Sequence, residues 1–570
     1  MKLFTKALAA IAATLLSYPV AEACTNFIVT KGASADGTIM VTYAADSANL
    51  YGALYNNVGA KYGFGTMLPV YEWDTQKFLG DIPQVSETYY TIGNMNEHSL
   101  IITETTFGGR RELRDSIGCM DYGSLIYITL QRAKTAREAI DVIVDIANTH
   151  GYMSGGESFS IADTEEAWIM ELIGKGTDLD SKGNNKDKGI VWVARRIPDG
   201  YVCGHANQSR ITTFPQNDPE NCLFAPDVIE FARKKGYYKG KDKDFDFAAA
   251  YGPVSFSGAR ACDARVWSFF NSVSDDMDQY LEYAMGHDLT NRMPLWIKPN
   301  HKVELKELMD AMRDHYEGTA MDKSTDVGAG GKGLPYRWGS AFEVDGQRYC
   351  VERATATQQT GFWLTAQARP ALGSHMGILW FGMDDAATSC LTPFYAASTE
   401  IPVEFSEESG SLFKYTPDSA FWKFSQVTNF AYMSYNTIAP DINMVVDAWE
   451  TSKIEEIKEI DAIASKLEGD EFKAYITKYS NDTAKVLLDR WTNLYCYLMT
   501  KHIDAKVKQE HGTVLDYLDG GMEESHFVDN GYGRGVPARV ASPSYSENFL
   551  RAIVKDNGET LKAPAEERRR

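Results

Sequence analysis

The chain reads as an α+β protein with a helical C-terminal region. Strand-like pairs recur between residues 25 and 206, a capped amphipathic helix interrupts them, and after about residue 445 the apolar period becomes helical. The first strand pair is 25–30 and 38–43 around the turn cluster 33–37. A second pair flanks Asn94-Met95-Asn96-Glu97-His98-Ser99 and closes with 100–103. Residues 124–132 are helical in content. Thr135 and Glu138 then form a capping box, followed by Ala139, Ile140, Ile143, Val144, Ile146 and Ala147 at helix spacing up to Gly151. Strands are expected at 158–162 and 167–173, and at 190–195 and 201–206 joined by Pro198-Asp199-Gly200. Residues 303–316 read as an amphipathic helix, and 347–356 with 360–368 as a long hairpin. From 445 to 508 the pattern is helical, with Ile454, Ile457, Ile460, Ile463 and Leu467 on one face. No heptad persists, which favours a packing region over a coiled coil. The expected organisation is a signal peptide over 1–23, a catalytic domain over 24–400, and a mainly helical region with a frayed tail over 401–570.

Composition narrows the function. A hydrophobic content of 44% supports a packed body, and a net charge of −21 lacks the basic face that nucleic-acid binding needs. No apolar run after the leader approaches membrane-spanning length. Residues 328–333 match G-x-G-x-x-G without the strand before or helix after that a nucleotide site requires. The cysteines (24, 119, 203, 222, 262, 350, 390 and 496) show no CxxC and no zinc spacing, and they demand no disulfides. His98, His205 and His375 are isolated, so no metal or other cofactor is expected.

The leader carries the first chemical signal. Lys2 and Lys6 precede an apolar stretch over 7–16, Pro19 breaks it, and Ala21 and Ala23 form an A-x-A cleavage site. Cleavage would export the protein to the periplasm or the extracellular space and leave Cys24 at the mature N-terminus. An α-amine titrates near pH 7.7–8.0, so Cys24 would hold a nucleophile and a general base in one residue. A lipid anchor, a disulfide half and an incidental thiol are the competing readings. Ala21 stands where a lipoprotein signal carries Leu, and strand sequence rather than a tether follows Cys24.

Cys24-Thr25-Asn26-Phe27-Ile28-Val29, then Ala33-Ser34-Ala35-Asp36-Gly37-Thr38 and a strand ending in Asp46, resembles the cysteine dipeptidases of the Ntn-hydrolase superfamily. These are of the dipeptidase A and D type, with penicillin V acylase and bile salt hydrolase as distant relatives. Gly93–Glu97, Ala206–Ile211, Asn291–Pro299 and Ala356–Thr360 continue the match in order. The resemblance implies an αββα sandwich with the nucleophile at the start of an inner strand. It implies Cys24 as nucleophile, Asp46 as the carboxylate that orients the α-amine, Asn207 as the oxyanion donor, and a thioester acyl-enzyme. One position departs: Tyr43 stands where an R-N-x-D pattern places Arg, and Arg260 and Arg265 are candidates to replace that cation.

A dipeptidase must also hold an α-ammonium and a carboxylate. Glu104 is the candidate for the first, with Asp121 as substitute and Thr106 as a polar lining residue. An Arg fork suits the second, and Arg265 is the candidate. The leading expectation is a secreted cysteine dipeptidase whose partner is its dipeptide substrate, with homo-oligomer formation left open. The alternatives are an Ntn acylase on an N-acylated small molecule, with Phe64, Trp73, Phe107 and Trp363 available to line an acyl pocket, and a lipid-anchored binding protein.

Overall fold

The computed structural model describes residues 24–339, 341–350 and 352–563; the expected leader and the end of the tail lie outside the described residues. β1 (Asn26–Val29) turns into β2 (Ile39–Asp46), and β3 (Asn56–Asn57) follows. A hairpin of β4 (Met67–Tyr71) and β5 (Phe78–Pro83) precedes β6 (Thr91–Ile92), β7 (Met95–Asn96) and β8 (Ile101–Gly108). Helices α1 (Tyr122–Leu130) and α2 (Ala136–His150) lead to β9 (Gly156–Ala162), β10 (Ala167–Gly174), β11 (Ile190–Arg196), β12 (Val202–His205) and β13 (Cys222–Phe224). Then come α3 (Ala264–Val273), β14 (Trp296–Ile297) and α4 (Leu305–Ala311). An exposed hairpin, β15 (Phe342–Val344) and β16 (Gln347–Tyr349), precedes β17 (Thr360–Ala368), β18 (Ile378–Met383) and β19 (Thr392–Tyr395). Helices α5 (Ala420–Ala431), α6 (Tyr435–Ala464) and α7 (Gly469–His502) follow.

Two antiparallel sheets form the centre, in the orders β14-β12-β1-β2-β17-β18-β19 and β13-β11-β10-β9-β8-β7-β6-β3. Alternation along β2 explains the layering: Val41, Tyr43 and Ala45 join the core shared with the second sheet, while Met40 and Ala44 pack with α3 and α4. Helix α2 covers the second sheet and α5–α7 pack against β18 and β19, so helices flank the two sheets. His205 ties the sheets together from β12, its two ring nitrogens bonded to Thr105 Oγ1 on β8 (2.8 Å) and Ser160 Oγ on β9 (2.7 Å). Burial holds its pKa down at about 3, so this histidine is neutral and structural.

The α+β class and the hairpin that opens it match the sequence reading, and α2 begins and ends where its signals stand. Thr135 Oγ1 caps Glu138 N, Gly151 closes the helix at φ 82°, and Glu138 turns to the Lys134 N–H, completing only half of the capping box. Three expectations are corrected. β11 and β12 are not a hairpin: the Pro198-Asp199-Gly200 turn carries the chain from one sheet to the other. Residues 347–349 pair with 342–344, and β17 lies between β2 and β18. The 303–316 helix ends at Ala311, because Asp314 turns to accept from Ser268 and Tyr316 N, and Tyr316 takes φ 68°. Of the expected face on α6, Ile457 is buried and Ile463 is exposed. All eight cysteines are unpaired.

The C-terminal helices are pinned by buried charge. Arg369, at the end of β17, grips Asp461 of α6 with two bonds (2.7 and 2.9 Å), and the Tyr395 hydroxyl donates to the same carboxylate. Asp461→Ala strands the guanidinium and should cost about 3–5 kcal/mol, read as a fall in urea midpoint, with Arg369→Met added to Asp461→Leu recovering part of it.

Candidate active site

The site assembles at one exposed length of strand edge. Past Ile102, β8 has no partner strand on its outer side among the described residues, so its carbonyls there need other donors. Asn26 Nδ2 donates to Glu104 O (2.6 Å) and Asn207 Nδ2 to Thr106 O (2.8 Å). Asn207 adopts φ 58°, a left-handed conformation that Asn tolerates. Cys24 therefore lies beside this edge, at the head of β1 and against β2 through the Thr25–Ala44 bridge.

The Cys24 thiol is buried. Its Sγ is 3.8 Å from the Tyr43 hydroxyl. Burial pushes the thiol well above its ordinary pKa, and the Glu104 and Asp46 carboxylates add to the rise. Asp46 is itself buried, which raises its pKa; Arg353 Nη2 and Thr360 Oγ1, each at 2.6 Å, oppose that rise.

Arg265 lies beneath Cys24. A π-helical turn, Gly258–Asp263, delivers it at the start of α3. Its Nη1 donates to Cys24 O and Thr25 Oγ1 (both 2.7 Å), its Nη2 to Ala206 O (3.2 Å) and Asn207 Oδ1 (3.0 Å), and its Nε to Ala261 O. All five N–H donors are thus spent on the protein, which leaves none for a substrate carboxylate. Arg260 points elsewhere, to Glu352 (2.6 Å).

On the other side of the thiol the residues are acidic. Tyr43 donates to Glu104 Oε1 (2.7 Å), and Thr106 Oγ1 donates to Glu157 Oε1 (2.7 Å). Burial raises Glu104 to about 7 and Glu157 well above the carboxylate range. Asp121 is occupied as the N-cap of α1 and as acceptor for Trp73 N (2.7 Å). Of the four aromatics considered for an acyl pocket, Phe64 is fully exposed, Trp363 is core, Trp73 stacks on Tyr127, and Phe107 is half-buried.

Residues 23–448 match the model of peptidase family C69. The chain belongs to peptidase family C69. It is a peptide-bond hydrolase, and its family match runs through the sheets and into α6. It is 24% identical over 340 residues to a probable dipeptidase of Salmonella dublin, covering 55% of this chain and 71% of the relative. It is 22% identical to a probable dipeptidase B of Streptococcus pyogenes serotype M1 (72% and 78% covered) and 20% identical to a probable dipeptidase of Latilactobacillus sakei (84% and 95%).

Within this C69 peptidase, Cys24, Asp46, Asn207, Glu104, Thr106 and Arg265 all gather at the β8 edge. Arg353 and Glu157 were not legible as site residues. Arg353 immediately precedes the segment leading to the Ala356–Thr360 motif, and Glu157 is an acid within an otherwise small and apolar strand, the one local sign either offers. Because the Glu104 carboxylate raises the thiol pKa, Glu104→Gln should shift iodoacetamide labelling of Cys24 to lower pH. An unmoved profile would show that this carboxylate does not act on the thiol.

Proposed function

We propose that this C69 peptidase is an exported cysteine dipeptidase of the Ntn-hydrolase type, its helix-flanked pair of sheets corresponding to the αββα sandwich. Removal of the leader makes Cys24 the N-terminal residue. Its α-amine takes the thiol proton, and Sγ attacks the scissile carbonyl. The amine then returns the proton to the departing amino group, leaving a thioester on Cys24. Water, activated by the same amine, cleaves the thioester and restores the thiol. The observation that carries this reading is the position of Cys24 at the head of β1, its thiol beside the Tyr43–Glu104 pair.

Asp46, held by Arg353 and Thr360, orients the amine. Asn207 spends one amide hydrogen on Thr106 O and has a second for the oxyanion, while Arg265 fixes its carbonyl end. Arg265 is therefore a positioning residue in this reading. Glu104 accounts for the preference for a free N-terminus. The α-ammonium of a dipeptide is one carbon from the scissile carbonyl, so it must lie close to Sγ, where Glu104 stands. Thr106 lines the same end through Glu157.

A panel of free dipeptides and N-acylated analogues tests the assignment. Cys24→Ala should abolish hydrolysis, and Asn207→Ala should lower kcat by about 10²–10³-fold. Glu104→Gln should raise KM for free dipeptides far more than for acylated analogues. Equal losses on both classes would remove Glu104 from the ammonium site, and a wild-type preference for N-acylated small molecules would replace the dipeptidase by an acylase.

A further inference from the structure

Glu104 and Glu157 make an arrangement that the catalytic steps above leave unexplained. In the β8–β9 register Glu104 lies opposite Phe159 and Glu157 opposite Thr106, so the two acids are diagonal neighbours on one face of the sheet. Both are fully buried. Each has one oxygen engaged, by Tyr43 and by Thr106, and the remaining oxygens, Glu104 Oε2 and Glu157 Oε2, receive no hydrogen bond from a third residue among the described residues. The two carboxyl groups face each other. Among the described residues no lysine, arginine or histidine nitrogen lies within 4.0 Å of either acid.

The surrounding elements bring no compensating charge. Tyr43 approaches from β2, Cys24 from the head of β1, Asp74 from the β4–β5 turn, and Tyr122 and Tyr127 from α1, with Tyr152 and Asp121 behind them. Of the guanidiniums beside Cys24, Arg353 is turned to Asp46 and Arg265 to Cys24 O and Asn207. Two carboxylates in such a space cannot both stay ionised, and one proton shared between them resolves the conflict. A cation entering the space resolves it equally well.

We propose that Glu157 is a specificity-determining residue: with Glu104 it forms a carboxyl pair that gives up one proton on taking the α-ammonium of the substrate. The inference rests on the dipeptidase reading above. The exchange balances: the doubly protonated pair plus the ammonium form gives a one-proton pair holding that ammonium, and one proton leaves to solvent. A neutral N-acyl group cannot displace the proton, so the pair rejects acylated substrates.

Binding should therefore weaken as pH falls through the titration of Glu104 near 7, because a second proton on the pair competes with the ammonium. For wild type, KM for a free dipeptide should fall about fivefold from pH 6 to pH 7.5, the gain in ionised Glu104 outweighing the loss of ammonium as the substrate amine begins to titrate. Glu157→Gln keeps an acceptor for Thr106 and replaces the acid's hydrogen bond to Glu104, which holds the Glu104 pKa down, with a weaker amide one. It should raise the Glu104 pKa, move the KM profile to higher pH, and raise KM at pH 7.5 with little change in kcat. The Cys24 α-amine is common to both proteins, so only the difference between their profiles reads the pair.

Calorimetry of a free dipeptide on mature Cys24→Ala, in two buffers of different ionisation enthalpy, measures the proton without turnover. Release approaching one proton at pH 6, extending to higher pH in Cys24→Ala/Glu157→Gln, supports the pair. Binding without proton release, or a Glu157→Gln profile equal to wild type, overturns the pair and leaves the dipeptidase reading standing. No binding of any dipeptide overturns both.

Discussion

The outer edge of β8 beyond Ile102 is the constraint on which the site depends. A strand edge that no other strand covers presents carbonyls that must find donors, and here two asparagine side chains supply them. Asn26 fixes the first strand and therefore Cys24, two residues before it. Asn207 fixes the chain leaving β12 and connects to Arg265, which returns to the Cys24 carbonyl. Cys24, Asn207 and the Arg265 guanidinium are thus held by one set of main-chain contacts, with His205 bracing the sheets a few residues away.

Charge divides across the thiol. Arg265 and Arg353 serve the side of Cys24 O and Asp46, whereas Glu104 and Glu157 occupy the other. Tyr43 lies at the boundary and donates to Glu104, where the related pattern carries an arginine. A guanidinium at position 43 would pair with Glu104 and neutralise it. A phenol leaves the acid pair uncompensated and available to a cationic ligand. The departure at Tyr43 and the buried acids behind it are therefore parts of one arrangement.

Much of this was legible locally. The β1–β2 hairpin, the cap at Thr135 and the stop at Gly151 follow from short-range turn chemistry and periodicity, and the motifs around Cys24, Asp46 and Asn207 drew those residues together. What local pattern could not supply was the choice of partner. The Pro198-Asp199-Gly200 turn has hairpin chemistry whether the next strand stays in the sheet or crosses to the other. Thr360–Ala368 alternates identically beside any neighbour, and only the core decides that β2 and β18 flank it. Arg353 meets Asp46 across 307 residues, and Glu157 meets Glu104 only through the β8–β9 register, so neither pairing leaves a mark in the sequence nearby. Arg265 was legible as an important cation, but its five donors all turn to the protein.

The central claim is that the free α-amine of Cys24 is the catalytic base. The direct measurement compares dipeptide hydrolysis by chains beginning at Cys24 and at Ala23, with the mature N-terminus of each verified by mass spectrometry. Activity confined to the chain that begins at Cys24 is the expected result. Comparable activity from an Ala23 chain that remains unprocessed would contradict the account.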